Sequence, residues 1–492
     1  MTTDYRILLA GVTAATLITA GCVSPTTPKS ATEPWIPPNS AQKTDEVWKA
    51  LQAHTNDFSH PVPLAMATDM ALQNNPASSK AWHDARAAAA LVKQVRGYFM
   101  PTVTATASAS REKTTADPAT FEQDYTKYGP GLQLNYLILN FGGGRQAAVE
   151  QALQTVYALD FGFNQAIQDV LLNVETAYYN LISAQASIET AQANVDDAKS
   201  TLDAAKESLT AGVGTDLDVL QAQAAYDQTL YGLASAEGLV NIARGSFAQT
   251  MGLPANVAVQ AAAPLQEVPE RLMVPDVQHL INDALNRRPD ISGLRATLAA
   301  KESAVGVAGS PLWPSLYFNG SVRQDSFDTT QTAENRPMQD SDWVYSGGFS
   351  LQWTLFDGLQ TVNAKRVAQE QAEAARAQLK QAELAASGDV WARYHNYETA
   401  LKKHEFSTAY LKSAAAAHEL AMDSYKAGLK SILDLLNAET QLAQARQQNV
   451  AARQEVFTAL AQFIHATGLL EKGATQNPGT LFSTSTQKEN NP

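Results

Sequence analysis

Residues 142–209 read GGGRQAAVEQALQTVYALDFGFNQAIQDVLLNVETAYYNLISAQASIETAQANVDDAKSTLDAAKESL. Two seven-residue series run through them. One is Val149, Val156, Phe163, Val170, Ala177, Ala184, Ala191, Ala198 and Ala205; the other is Leu153, Asp160, Ile167, Val174, Leu181, Ile188, Val195, Leu202 and Leu209. They interleave at steps of four and three, a heptad seam that only Asp160 interrupts. No proline breaks the stretch, so it predicts one helix over 142–210, roughly 100 Å long at 1.5 Å per residue. A helix of that length cannot bury its stripe inside one compact globule and must lie along other helices. The first series passes from Val and Phe to Ala alone, and small seam residues let helix axes converge toward the far end.

Around this helix the chain repeats itself. Asn75-Pro76 matches Arg288-Pro289, and Pro101 matches Pro314, at one offset of 213 residues. Gly212-Val213-Gly214-Thr215-Asp216-Leu217-Asp218-Val219-Leu220 matches Gly428-Leu429-Lys430-Ser431-Ile432-Leu433-Asp434-Leu435-Leu436, and Met251-Gly252-Leu253 matches Thr467-Gly468-Leu469, both at 216. A constant offset over such distances implies duplication. Each copy predicts two short helices (64–74 and 77–98; 277–287 and 290–307), a strand pair, a very long helix, a glycine-marked turn, and a second long helix. The long helices span 142–210 and 216–250 in the first copy, 358–427 and 431–467 in the second. In the second copy the seam positions of Ile188 and Leu202 hold His404 and His418, and we expect the register to slip there so that both face water.

The strands are expected at 102–111, 131–139, 315–323 and 344–355. Each alternates with period two, as in Leu132, Leu134, Tyr136, Ile138 and in Phe349, Leu351, Trp353, Leu355, and each is about the ten residues that a tilted strand needs to cross a bilayer. The polar stretches Glu112–Lys127 and Gln324–Asp342 suit loops in water. A soluble β-sandwich patch would show the same alternation. In a membrane, however, four strands cannot close a barrel, and open edges in lipid are forbidden, so the barrel would have to be shared between chains.

Residues 1–21 read as an export signal: Arg6, then an apolar run from Ile7 to Ala20 that is short for a membrane span. Cys22, the only cysteine, follows Thr19-Ala20-Gly21. This excludes a disulfide within the chain and a cysteine metal cluster. The site resembles a lipoprotein lipobox, with Thr19 where Leu is preferred; the alternatives are a plain secretory signal or a buried cysteine. Residues 22–61 are rich in Pro, Ser and Thr and read as a tether; 471–492 read as a disordered tail. The net charge of −13, without a basic aromatic cluster, argues against nucleic acid.

Taken together, residues 62–263 and 264–470, as two repeats, resemble the TolC family of bacterial outer-membrane efflux proteins. The resemblance rests on Leu355-Phe356-Asp357-Gly358, the degenerate Leu139-Asn140-Phe141-Gly142-Gly143, and above all the turn from Tyr425 to Ala438. It implies a mostly α fold with a membrane β-barrel: a homotrimer whose strand pairs form a twelve-stranded barrel continued by a twelve-helix tunnel. An acylated N-terminal cysteine is common but not universal in the family, and Cys22 is expected to carry a lipid; no cofactor or metal is expected. As implied partners the resemblance brings a periplasmic adaptor, an inner-membrane transporter of RND or ABC type, and outer-membrane lipid. In the family, polar links near the turns hold the inner end shut. By position, Tyr425 and Lys430 would bond to Thr215 and Asp216, with Asp434 and Asn437 at the constriction and Gly212 and Gly428 in the turns. Lys430 stands where Arg is frequent and lacks its bidentate fork. Simple N-capping by Thr215 and Asp216, and a solvated Lys430, are the plainer alternatives. A periplasmic coiled-coil adaptor is the rival reading, but it would carry one hairpin rather than two copies each fed by strands. No Walker loop, His-Glu-x-x-His or Gly-x-Ser-x-Gly pattern points to an enzyme.

Overall fold

The computed structural model describes residues 60–114, 123–262, 268, 277–329 and 338–470. The signal, Cys22, nearly all of the tether and the C-terminal tail lie outside them. Twelve main elements follow in the order anticipated from the duplication. The first copy contains α1 (Leu64–Asn74), α2 (Pro76–Arg96), β1 (Thr102–Thr114), β2 (Gln123–Asn140), α3 (Gly144–Thr210) and α4 (Asp216–Thr250). The second contains α5 (Val277–Arg287), α6 (Pro289–Gly309), β3 (Ser315–Thr329), β4 (Met338–Gln352), α7 (Gln360–Lys426) and α8 (Ile432–Ala466). The paired long helices have equal lengths, 67 residues for α3 and α7 and 35 for α4 and α8.

The α3 seam is buried where the heptads are strongest, at Val170, Val174, Ala177, Leu181, Val195, Ala198, Leu202 and Ala205. Asp160 is exposed. The helices form an arc. In the lower half α3 packs between α4 and α8, and α8 packs on α7; in the upper half α3 packs on α2 and α6, and α6 on α7. The shorter helices stack end on end, α2 above α4 and α6 above α8, so the arc keeps four helices along its length. Gly252 and Gly468 make that stacking possible. A Cβ at Gly252 would lie 2.6 Å from the Asn74 carbonyl oxygen, and one at Gly468 would lie 3.1 Å from the Arg288 backbone.

The four strands form one antiparallel sheet in the order β1-β2-β3-β4. Register aligns Ala105, Leu132, Val322 and Tyr345 across it, and Tyr136, Phe318 and Phe349 beside them. One face is therefore apolar over this part of the sheet. The other carries hydrogen-bonding side chains such as Ser321 and Ser346, whose hydroxyls lie 2.7 Å apart, and Asn319, which donates to Ser350 at 3.1 Å.

Three expectations need correction. The polar stretches are not wholly loop: Glu112–Thr114, Gln123–Lys127, Gln324–Thr329 and Met338–Asp342 continue the strands. Cross-strand pairs, such as Lys127 to Asp325 at 2.9 Å, supply what an apolar face would otherwise supply. Strand β2 also runs through Pro130, where the β2–β3 register skips Gly129 and Pro130, so the missing N–H faces no partner that needs it. The last strand ends at Gln352. Trp353 instead turns its indole N–H onto the Leu312 carbonyl at 3.0 Å.

The third correction concerns the histidines. His418 is buried and His404 half-buried; the register holds through α7, and both face the seam. His404 Nδ1 and His418 Nε2 are buried without a hydrogen-bond partner. Burial, helped by repulsion from Arg453, lowers the His404 pKa.

At the strand-to-helix junctions, Asn140 Oδ1 accepts from the Gly144 amide at 3.0 Å, and Asp357 Oδ2 accepts from the Thr361 amide at 2.9 Å. The residue just before each long helix is left-handed. In the first copy it is Gly143 at φ 68°, in the second Leu359 at φ 65°. No helix among the described residues is long and apolar enough to cross a membrane.

Candidate functional site

The lower end of the arc is closed by two turns of nearly identical construction. After α3, Val213 N donates to Ser208 O at 3.0 Å; after α7, Leu429 N donates to Ser424 O at 2.8 Å. Gly212 and Gly428 adopt φ 76° and 72°, a left-handed conformation that costs glycine little. Each following helix then begins with a capping box. Thr215 N donates to Asp218 Oδ2 at 2.9 Å and Thr215 Oγ1 accepts from Asp218 N at 3.2 Å. Ser431 and Asp434 repeat this at 3.1 and 3.3 Å. The Ser431 hydroxyl also donates to Asp434 Oδ2 at 2.8 Å. Those bonds, with Lys430 nearby, hold the Asp434 carboxyl below the usual aspartate range.

Tyr425 sits on the last turn of α7, packed against the small apolar cluster of Leu202, Ala205, Ala222, Ile432 and Leu435. Its hydroxyl has no well-formed hydrogen bond. Burial raises its pKa, Ser208 opposes the rise, and the Asp218 carboxylate adds to it. Thr215, Asp216, Lys430, Asp434 and Asn437 are exposed.

The structure thus gathers the six residues at one end of the arc but does not join them as expected within one chain. Tyr425 faces Ser208 and Asp218 rather than Thr215 and Asp216. Lys430 and Asp216 make no ion pair inside the chain.

A second polar group escaped the sequence reading. Thr201 Oγ1 donates to Glu439 Oε2 at 3.0 Å in a buried setting, and Arg446 Nη1 donates to Asn194 Oδ1 and Asp197 Oδ2, each at 2.7 Å. Burial raises the Glu439 pKa, Thr201 opposes this, Asp197 adds to it, and Arg446 opposes it. The signal was present. Glu439 and Arg446 interrupt the series Ile432, Leu435, Glu439, Leu442, Arg446, whose spacing is that of a buried stripe.

Comparison with known proteins fits this architecture. The profile of the outer membrane efflux protein family matches residues 67–253 and 280–469, one segment per repeat. CyaE of Bordetella pertussis is 29% identical over 409 residues, covering 83% of this chain and 84% of CyaE. The pyoverdine export outer membrane protein OpmQ of Pseudomonas aeruginosa is 26% identical, covering 72% and 74%. Among solved structures, the outer-membrane channel OprN superposes with a TM-score of 0.73 at 23% identity, covering 86% of this chain and 92% of that one. The Campylobacter jejuni CmeC outer membrane channel also gives 0.73, at 18% identity and 88% and 90% coverage. The shared fold is an open arc of long helices continued by a four-stranded sheet. Nothing in these likenesses supports the coiled-coil adaptor reading.

Proposed function

The chain belongs to the outer membrane efflux protein family, and from that premise we propose that three copies close into a passive export duct. As a member of a transport family it is an outer-membrane efflux channel that works with an adaptor and an inner-membrane pump. The finer assignments are ours: a homotrimer, a lipid on Cys22, no catalytic activity, and a gate at the lower turns.

One observation carries the trimer. The chain ends laterally in unsatisfied surfaces at both levels. In the sheet, β1 and β4 each have one partner. Val103 on β1 and Tyr345, Phe349 and Leu351 on β4 expose apolar side chains. In the arc, the outermost helices do the same: Leu220, Tyr231 and Ile242 on α4, and Leu384, Phe406 and Leu420 on α7. A second chain placed α4 to α7 and β1 to β4 covers the exposed apolar side chains of the outer helices and pairs the free strand edges, leaving the apolar face of the sheet to lipid. Twelve strands then remove every edge from lipid.

The gate reading assigns Tyr425, Lys430, Thr215 and Asp216 to contacts between chains, which accords with the exposure of Lys430, Thr215 and Asp216 and with the lack of mutual bonds within one. Asp434 would contribute one carboxylate per chain at the constriction, beside the neutral Asn437.

The test is purification from outer membranes in detergent, with mass by light scattering and conductance in planar bilayers. A three-chain particle that conducts is expected. A stable monomer without pore activity would overturn the proposal.

A further inference from the structure

The two seams of the tunnel wall are built differently, and the duplication reveals it. Within a chain, α3 meets α8. Thr201 lies nine residues before the end of α3 and Glu439 seven residues after the start of α8, roughly 10 to 15 Å above the turns. Arg446 and Asp197 lie about one and a half helical turns higher. Below them the seam is apolar, with Leu202, Ala205, Leu435 and Ile432 packed together. Into that stripe the chain inserts one fully buried hydroxyl, one buried carboxylate and an arginine clamp.

The second seam, in the trimer argued above, joins α7 to α4 of a neighbouring chain. Its corresponding positions lie 216 residues away. Thr201 and Asp197 become Ala417 and Ser413, Asn194 becomes Tyr410, and Glu439 and Arg446 become Gln223 and Leu230. No charge remains.

The contrast has a physical consequence. A charged pair held between helices fixes one register while closed, and its members are rehydrated when the helices part. A seam without a charged pair has no such group to rehydrate, and the apolar area it exposes on parting is a cost. The seam suited to reversible separation is therefore the one inside each chain.

We propose that Arg446–Asp197–Asn194 and Thr201–Glu439 form a latch across the α3–α8 seam, above the turns and distinct from the residues of the turn gate, which must release for the lower end of the duct to widen. This rests on the trimeric-duct reading.

The experiment uses the full chain as a purified trimer in planar bilayers. Arg446→Ala removes the clamp, and single-channel conductance is expected at least to double. The reciprocal exchange Asp197→Arg with Arg446→Asp restores the pair and should return conductance to the wild-type level. Unchanged conductance in Arg446→Ala trimers would overturn the latch, as would raised conductance in the reciprocal exchange. If Arg446→Ala does not assemble, the exchange alone decides: wild-type conductance supports the latch, and failure to assemble or to close overturns it. A wild-type protein that neither trimerises nor conducts would instead sink the duct reading itself.

Discussion

Asn75 and Arg288 hold the same place in the two halves of the molecule: Asn75 Nδ2 lies 3.1 Å from the carbonyl oxygen of Thr250, and Arg288 Nη1 lies 3.1 Å from that of Ala466. Each residue precedes the proline that starts an upper helix, and each captures the last carbonyl of the helix stacked beneath. An amide does this in one copy and a guanidinium in the other. Arg288 adds bonds to Asp290 and Asp389, at 2.8 and 3.0 Å.

The unequal chemistry predicts unequal losses. Asn75→Ala removes a cap on Ala77 and one long-range bond, a cost of about 1–2 kcal/mol. Arg288→Ala leaves Asp290 without its arginine and Asp389 with Arg393 alone, and Arg288 is mostly buried, so the cost should be the larger one, about 3 kcal/mol. Thermal melting of the purified variants checks the order. Equal melting temperatures would contradict the distinction.

At the turns, Lys430→Ala combined with Asp216→Ala should raise single-channel conductance, since both carry exposed charge and form no ion pair with each other inside the chain. If conductance stays at the wild-type value, those residues play no part in closure.

Tyr397 is 2% exposed and its hydroxyl is buried with no hydrogen-bond partner; burial pushes its pKa up to about 12. Tyr397→Phe removes the unsatisfied hydroxyl and keeps the ring stacked on Phe463. The variant should be more stable by about 1 kcal/mol. A lower melting temperature would mean that the hydroxyl is satisfied after all.

His404 supplies a pH test. Its pKa is lowered in the folded protein, so the unfolded chain binds the proton more tightly. The favourable contribution is full above the ordinary histidine pKa of about 6.5 and is lost as pH falls through the lower folded value. His404→Leu, which makes the position apolar like the matching Ile188, should lessen the acid sensitivity of melting between neutral pH and the folded-state pKa. Identical pH profiles would show that His404 does not titrate on unfolding.

Most of the architecture could be read from the chain. The heptads of α3 and the constant offsets fixed all eight helices closely, because buried stripes and turn glycines both leave periodic marks. Strand ends were harder to place. Beyond Arg111 and Asp325 pairing continues through polar side chains, which carry no hydrophobic alternation, and Pro130 reads as a break although β2 passes through it. The histidines differ from expectation because a polar residue in a seam suggests slippage, whereas the surrounding Ala400, Ser407 and Ala414 hold the register. At the turns, Gly212, Gly428 and the Thr215 cap were legible as local geometry. The partners of Tyr425 were not, since they depend on which helix face meets which, and a one-dimensional offset does not contain that.

Leu359 carries a backbone conformation that its counterpart Gly143 adopts freely, and a side chain there costs on the order of 1–2 kcal/mol. That energy sits at a single exposed position next to the start of a 67-residue helix. A random library screened for heat resistance should therefore recover glycine or asparagine at 359 early, without any change in what passes through the duct.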